Sequence, residues 1–136
     1  MAQIIQYITI YFTIFLSLFL GYNPDNVTAT VNNTVTVETQ ILSVTVKNET
    51  RRIVIQSGVA ITAIEQKIDN EWRNIGNVNA IPEIAHIFYP TVEQTHEVSL
   101  KDAFDIESLS VGEYRLVVPY DSEGARISYA YFTVCE

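Results

Sequence analysis

Two histidines, one cysteine and a short acidic run are the residues whose types could do chemistry. His86, His96 and Cys135 are all zinc-ligand types, but a closed zinc site needs four donors at characteristic spacings, and these three match no such pattern. Asp102, Asp105 and Glu107 bring three carboxylates close together in the chain, an oxygen-rich group of the kind that holds calcium. A calcium loop sets its ligands at alternate positions around a glycine, and no Asp-x-Asp-x-Asp-Gly run is present, so these acids read as a solvated connection. No serine lies in the Gly-x-Ser-x-Gly elbow that would expose it as a nucleophile. The sequence offers no catalytic, cofactor-binding or metal-binding residue, and the chain is not expected to be an enzyme.

The stretch with the most definite physical reading is a folding device. In Leu109-Ser-Val-Gly112-Glu-Tyr114-Arg-Leu116-Val-Val118, Gly112 supplies a turn that other residues make only with strain, and Tyr114, Leu116 and Val118 alternate as the apolar face of a strand. A tyrosine two residues after such a glycine can bury its ring and return its hydroxyl to backbone just upstream, the tyrosine corner of Greek-key sandwiches. Leu109, Gly112 and Tyr114 are therefore expected to hold a fold rather than a ligand.

The rest of the chain supplies strands to go with that corner. Leu42, Val44 and Val46 alternate with Ser43, Thr45 and Lys47, Ile53 to Gln56 resumes a short strand, and Val59 to Lys67 with Glu71 to Ile75 flank an Asp69-Asn70 turn. That hairpin carries Trp72, which suits either core packing or an exposed binding aromatic. Asn74 to Pro90 shows no clean period and is the longest irregular stretch, so Ile84, Ile87, Phe88 and Tyr89 within it either cover one end of the core or form, with Trp72, a partner surface. Thr95 to Leu100 alternates again, Lys101 to Ser108 leads to the corner by one helical turn, Pro119 closes that strand, and Arg126 to Val134 forms the last one. Ser128, Ala130, Phe132 and Val134 share one of its faces, and Ile127, Tyr129 and Tyr131 the other.

The 136 residues carry a net charge of −8 with only eight Lys and Arg, which excludes a nucleic-acid surface, since phosphate partners require a basic patch. None of those eight precedes Lys47. Ile4 to Leu20 is an uncharged hydrophobic run, expected to be a signal peptide or an uncleaved membrane anchor, although no basic residue precedes it. Asn23-Pro24-Asp25-Asn26 is turn chemistry marking its end. The expected organisation is a signal or anchor over 1–22, a linker over 23–34 running into a first strand, and one folded domain over 35–136. Asn26-Val-Thr28, Asn32-Asn-Thr34 and Asn48-Glu-Thr50 match the N-glycosylation triplet.

Three pieces together resemble the bacterial immunoglobulin-like domains of exported and lipoprotein-type proteins, chiefly of Gram-positive bacteria. They are Val44-Thr-Val-Lys-Asn48, Ile64-Glu-Gln-Lys-Ile-Asp-Asn-Glu-Trp72 and Leu109-Ser-Val-Gly-Glu-Tyr-Arg115, spread over nearly all of the chain beyond the hydrophobic run. The Leu-Gly pair at its end looks like a lipoprotein signal, but Tyr22 stands where the lipidated cysteine would be. The expectation is all-β: an immunoglobulin-like Greek-key β-sandwich of about seven strands, preceded by one N-terminal hydrophobic helix. The resemblance implies a non-catalytic module exported to the cell envelope, either anchored on the outer face of the membrane or secreted, that binds a protein or cell-surface ligand in adhesion or scaffolding. The alternative is a filament or pilus-type subunit that forms homo-oligomers through Ile4 to Leu20.

Overall fold

The computed structural model describes residues 26–57, 60–78, 85–121 and 126–136. The hydrophobic run 4–20, expected as a helix, lies outside them, as does Ile84. Among the described residues no helix is long and apolar enough to cross a membrane.

The described chain is built of strands β1 (Val27–Val31), β2 (Val35–Thr36), β3 (Ile41–Asn48), β4 (Val54–Ser57), β5 (Ala63–Ile68), β6 (Glu71–Asn77), β7 (Ala85–Phe88) and β8 (Glu93–Ser99), a single helical turn α1 (Leu100–Phe104), and strands β9 (Gly112–Tyr120) and β10 (Arg126–Cys135). They form a three-stranded sheet β1-β3-β8, a five-stranded sheet β2-β10-β9-β5-β6, and a two-stranded ribbon β4-β7. These ten strands exceed the seven or so expected. The excess includes the two-residue β2 and also β7, which lies in the Asn74 to Pro90 stretch expected to be irregular. Four residues carry too little periodicity to announce a strand, and β7 exists because β4 supplies its backbone partners, Ile55 opposite Ile87 and Val54 opposite Phe88.

Period-two alternation sets the layers. Leu42, Val44 and Val46 of β3 are fully buried against Leu116 and Val118 of β9 and Ala130 and Val134 of β10, in one continuous core, while Ser43, Thr45 and Lys47 face outward. The first strand begins earlier than expected. Val27–Val31, placed in the linker by its Thr and Asn content, pairs antiparallel with β3 from Val27 opposite Asn48 to Val31 opposite Val44, and Val27 is buried. Pro119 does not end β9, which continues to Tyr120 with Pro119 opposite Ile127. The partnership of β9 with β5 stops at Val117, so at Pro119 the strand is locally an edge, where a residue lacking N–H is tolerated.

Two local devices fix the connections. Asp69 and Asn70 both take positive φ, 52° and 64°, the backbone of a two-residue turn whose twist matches its flanking strands. At the end of β3, the fully buried side chain of Asn48 donates to the carbonyls of Arg52 (3.0 Å) and Phe88 (2.8 Å) and accepts from the backbone N–H and hydroxyl of Thr50. This bracket ties the polar corner after β3 to the ribbon, and it withdraws the Asn48 amide from any glycosylating enzyme. Asn26 and Asn32 remain exposed.

Candidate functional site

The residues singled out from sequence fall in three places. Leu109 and Tyr114 are buried, and the Tyr114 hydroxyl donates to the Ser110 carbonyl at 2.7 Å and lies 3.0 Å from the Ser110 hydroxyl. Gly112 opens β9 with a φ of 157°, a backbone that a side chain would strain. The Tyr114 ring stacks on Phe132 with centroids 5.5 Å apart, so Leu109, Gly112 and Tyr114 form a packed corner. Ile87, Phe88 and Tyr89 lie on or beside β7, away from Trp72. Phe88 is 1% exposed and belongs to the core rather than to a partner surface, because strand alternation turns it to the face opposite Ile87 and Tyr89. Trp72 lies on β6, half-buried on the outward face of the five-stranded sheet.

Around Trp72 the sheet register assembles a surface that sequence reasoning did not name. Arg115 of β9 stands opposite Glu65 of β5 on one side and Tyr131 of β10 on the other. Its guanidinium lies 3.8 Å from the Tyr129 ring centroid and 4.5 Å from that of Trp72, and its Nε donates to Glu65 at 2.5 Å. Burial alone would push this guanidinium's pKa down; hydrogen bonds to Glu65 and Tyr131 reverse that and raise it, so the cation is held as a rigid centrepiece between two rings. Trp72 meets Tyr131 edge-on at 5.7 Å, and Tyr131 is 60% exposed. Beside them lies a shallow cleft of about 420 Å³, lined by Lys67, Trp72, Glu113, Tyr131 and Thr133 above Tyr114 and Phe132. The signal for this face was the alternation of Tyr129 and Tyr131 with Ala130 and Phe132 in the sequence. What it lacked was the pairing of β10 with β9 and of β9 with β5.

The chemistry candidates do not converge. Among the described residues no group of three or more His, Cys, Asp or Glu side chains is placed to hold a metal ion. Lys101 sits 2.8 Å from Asp105 and 2.6 Å from Glu107, and its ammonium lowers the Asp105 pKa through a hydrogen bond and charge. The acidic run is thus partly neutralised from within. His96 lies on β8 and Cys135 at the far end of β10.

Two facing layers, antiparallel except where β2 runs alongside β10, joined by crossing connections and pinned by a tyrosine corner, define the immunoglobulin-like class. The chain belongs to the bacterial Ig-like domain family, whose model matches residues 23–130, a span that takes in the segment expected to be a linker. Such domains are generally non-catalytic. No curated protein matches the chain. Among solved structures, similar chains include a β-glucosidase from Erythrobacter marinus, at 18% identity and TM-score 0.42 over 79% of this chain, and one from Listeria innocua in complex with gluconolactone, at 10% identity and TM-score 0.39 over 82%. This chain spans only 15% and 16% of their respective lengths.

Proposed function

We propose that this chain is a non-catalytic binding module of the bacterial cell envelope, exported and held there by Ile4 to Leu20, whose contact surface is the outward face of the five-stranded sheet. One observation carries the reading: Arg115, locked between Trp72 and Tyr129 and paired with Glu65, with Tyr131 open beside it. Rigid aromatics and an immobilised arginine lose little entropy when a ligand settles on them, and these residue types dominate binding hot spots. On β3 and β8 of the three-stranded sheet, by contrast, the outward positions are filled as solvent requires, by Ser43, Thr45 and Lys47 and by Glu93, Thr95 and Glu97.

The test uses the full chain displayed on bacteria and isolated cell-wall fragments as the probe. Retention of fragments should fall at least tenfold in Tyr131→Ala and in Arg115→Ala, with the melting temperature of Tyr131→Ala unchanged. Equal retention by folded variants would overturn the assignment of this face.

A further inference from the structure

Among the described residues, the β4-β7 ribbon packs one face on the core and leaves an apolar face exposed. Val54, Gln56 and Phe88 turn inward and are buried, as alternation demands. The outward positions, where β3 and β8 carry Ser, Thr, Lys and Glu, are here Ile53, Ile55, Ile87 and Tyr89, exposed by 52, 45, 58 and 55%. Ile55 stands directly opposite Ile87, and the same register continued by one step sets Ile53 against Tyr89. A contiguous apolar patch on the open face of the ribbon, beside strands whose outward positions are polar, marks a contact surface.

The place of this patch identifies what covers it. The ribbon is fastened to the end of the sandwich where the described chain begins. The Asp121 N–H donates to the Ile55 carbonyl at 2.7 Å, and the neighbouring Tyr120 hydroxyl donates to the Asn26 side chain at 3.3 Å. On the other strand, the Asn48 side chain bonds the Phe88 carbonyl, and Asn48 pairs with Val27. Only Gly21 to Asp25 separate Asn26 from the last residue of the hydrophobic run, so six backbone steps, at most about 21 Å, separate Leu20 from Asn26. Two of the chain's few basic side chains, Arg52 and Arg126, gather at this end around Asp121, at 2.7 and 3.9 Å.

We infer that the outward face of the ribbon, Ile53, Ile55, Ile87 and Tyr89, rests on the surface of the lipid bilayer that receives Ile4 to Leu20. The inference depends on the reading of that run as an uncleaved anchor. Isoleucines at the headgroup boundary, a tyrosine whose ring and hydroxyl suit both sides of it, and arginines at the rim form the composition that such a boundary accepts. A patch this small would hold a free protein to lipid only weakly, but the short tether makes the contact intramolecular and raises its effective concentration. The binding face then stands clear of the lipid: β9 runs from Glu113, beside the Trp72 cleft, to Tyr120 at the ribbon end, seven steps or roughly 23 Å.

The experiment uses the full chain with Cys135→Ser, reconstituted into phosphatidylcholine vesicles, and an environment-sensitive dye on Ile87→Cys or, as a control, on Glu97→Cys. Flotation with the vesicles reports the anchor, and quenching of the dye by nitroxide-labelled lipid reports the ribbon. Expected are flotation of both proteins, with a blue shift and lipid quenching at position 87 and neither at position 97; adding Ile53→Glu and Ile55→Glu should abolish the quenching at 87. Flotation without quenching at 87 would overturn the bilayer contact and leave the anchor standing. A chain that does not float would overturn both. A blue shift that follows protein density on the vesicles rather than lipid quencher would overturn the inference in favour of a second copy as the occupant.

Discussion

Tyr114 and Asp121 show how single side chains set the stability of this domain. The Tyr114 hydroxyl is committed to the Ser110 carbonyl below the surface, so Tyr114→Phe should lower unfolding free energy by about 1 kcal/mol, the net worth of a buried hydrogen bond; urea titration gives the value. Asp121 receives two hydrogen bonds from the Arg52 guanidinium, at 3.1 and 2.7 Å. These bonds outweigh its partial burial and, with the charges of Arg52 and Arg126, hold its carboxyl below the ordinary 3.8. A depressed folded value means that the pair stabilises above the ordinary carboxylate range and is lost as pH falls through the folded value. Asp121→Asn should therefore cost on the order of 1 kcal/mol at pH 7, a modest figure because Arg52 is partly open to solvent, and the gap from wild type should close as melting curves are taken below about pH 4. The geometry of Tyr114 was legible in its distance from Gly112, since it depends on local backbone. Asp121 looked like any turn residue, because its partner lies 69 positions away in the chain.

Elements succeed or fail as readings according to where their partners come from. The β5-β6 hairpin carries its own turn, visible in sequence as Asp69-Asn70; the single helical turn expected within Lys101 to Ser108 starts a residue earlier, at Leu100, on a cap that sequence reasoning did not name, the Ser99 hydroxyl accepting from the Asp102 N–H at 3.2 Å. The ribbon was half visible, because β4 has an apolar run and β7 depends on it. Docking of α1 depends on a residue with no side chain at all. A Cβ added to Gly76 would stand 3.0 Å from the Phe104 Cβ, 3.2 Å from Ile64 and 3.3 Å from Ile106, so α1 lies on β6 through a contact that a side chain at 76 would crowd by a few tenths of an ångström. Gly76→Ala should destabilise the domain by about 1–3 kcal/mol through overpacking. Hydrogen exchange should show the loss first in the α1 amides, with the β9-β10 amides the last to open.

At the scale of the molecule, the described residues of both layers supply one continuous core. Leu42, Val44, Ile64, Leu116, Val118 and Val134 are each fully buried, and sheets from both layers contribute. Removal of residues 1–22 should therefore leave one cooperative unfolding transition, coincident by circular dichroism and by Trp72 fluorescence. Two separated transitions would show that the run takes part in the fold. The sandwich was foreseeable because alternation and turn spacing are local properties repeated along the chain. The proposed binding face was not, because Trp72, Arg115 and Tyr131 come together only once the order β10-β9-β5-β6 is known.

That order also gives the molecule an axis along which it can be pulled. The chain enters at Asn26, beside Tyr120 and the start of β10, and leaves by Cys135 nine steps further along that strand, roughly 30 Å away. Force between those two points passes down β1 into β2, which lies parallel to β10 with Val35 beside Val134 and Thr36 beside Cys135. Bonds between parallel strands drawn in opposite directions along their length are sheared together, not peeled one after another. A module tethered at one pole and gripped near the other would meet tension in the geometry where a few hydrogen bonds resist it best.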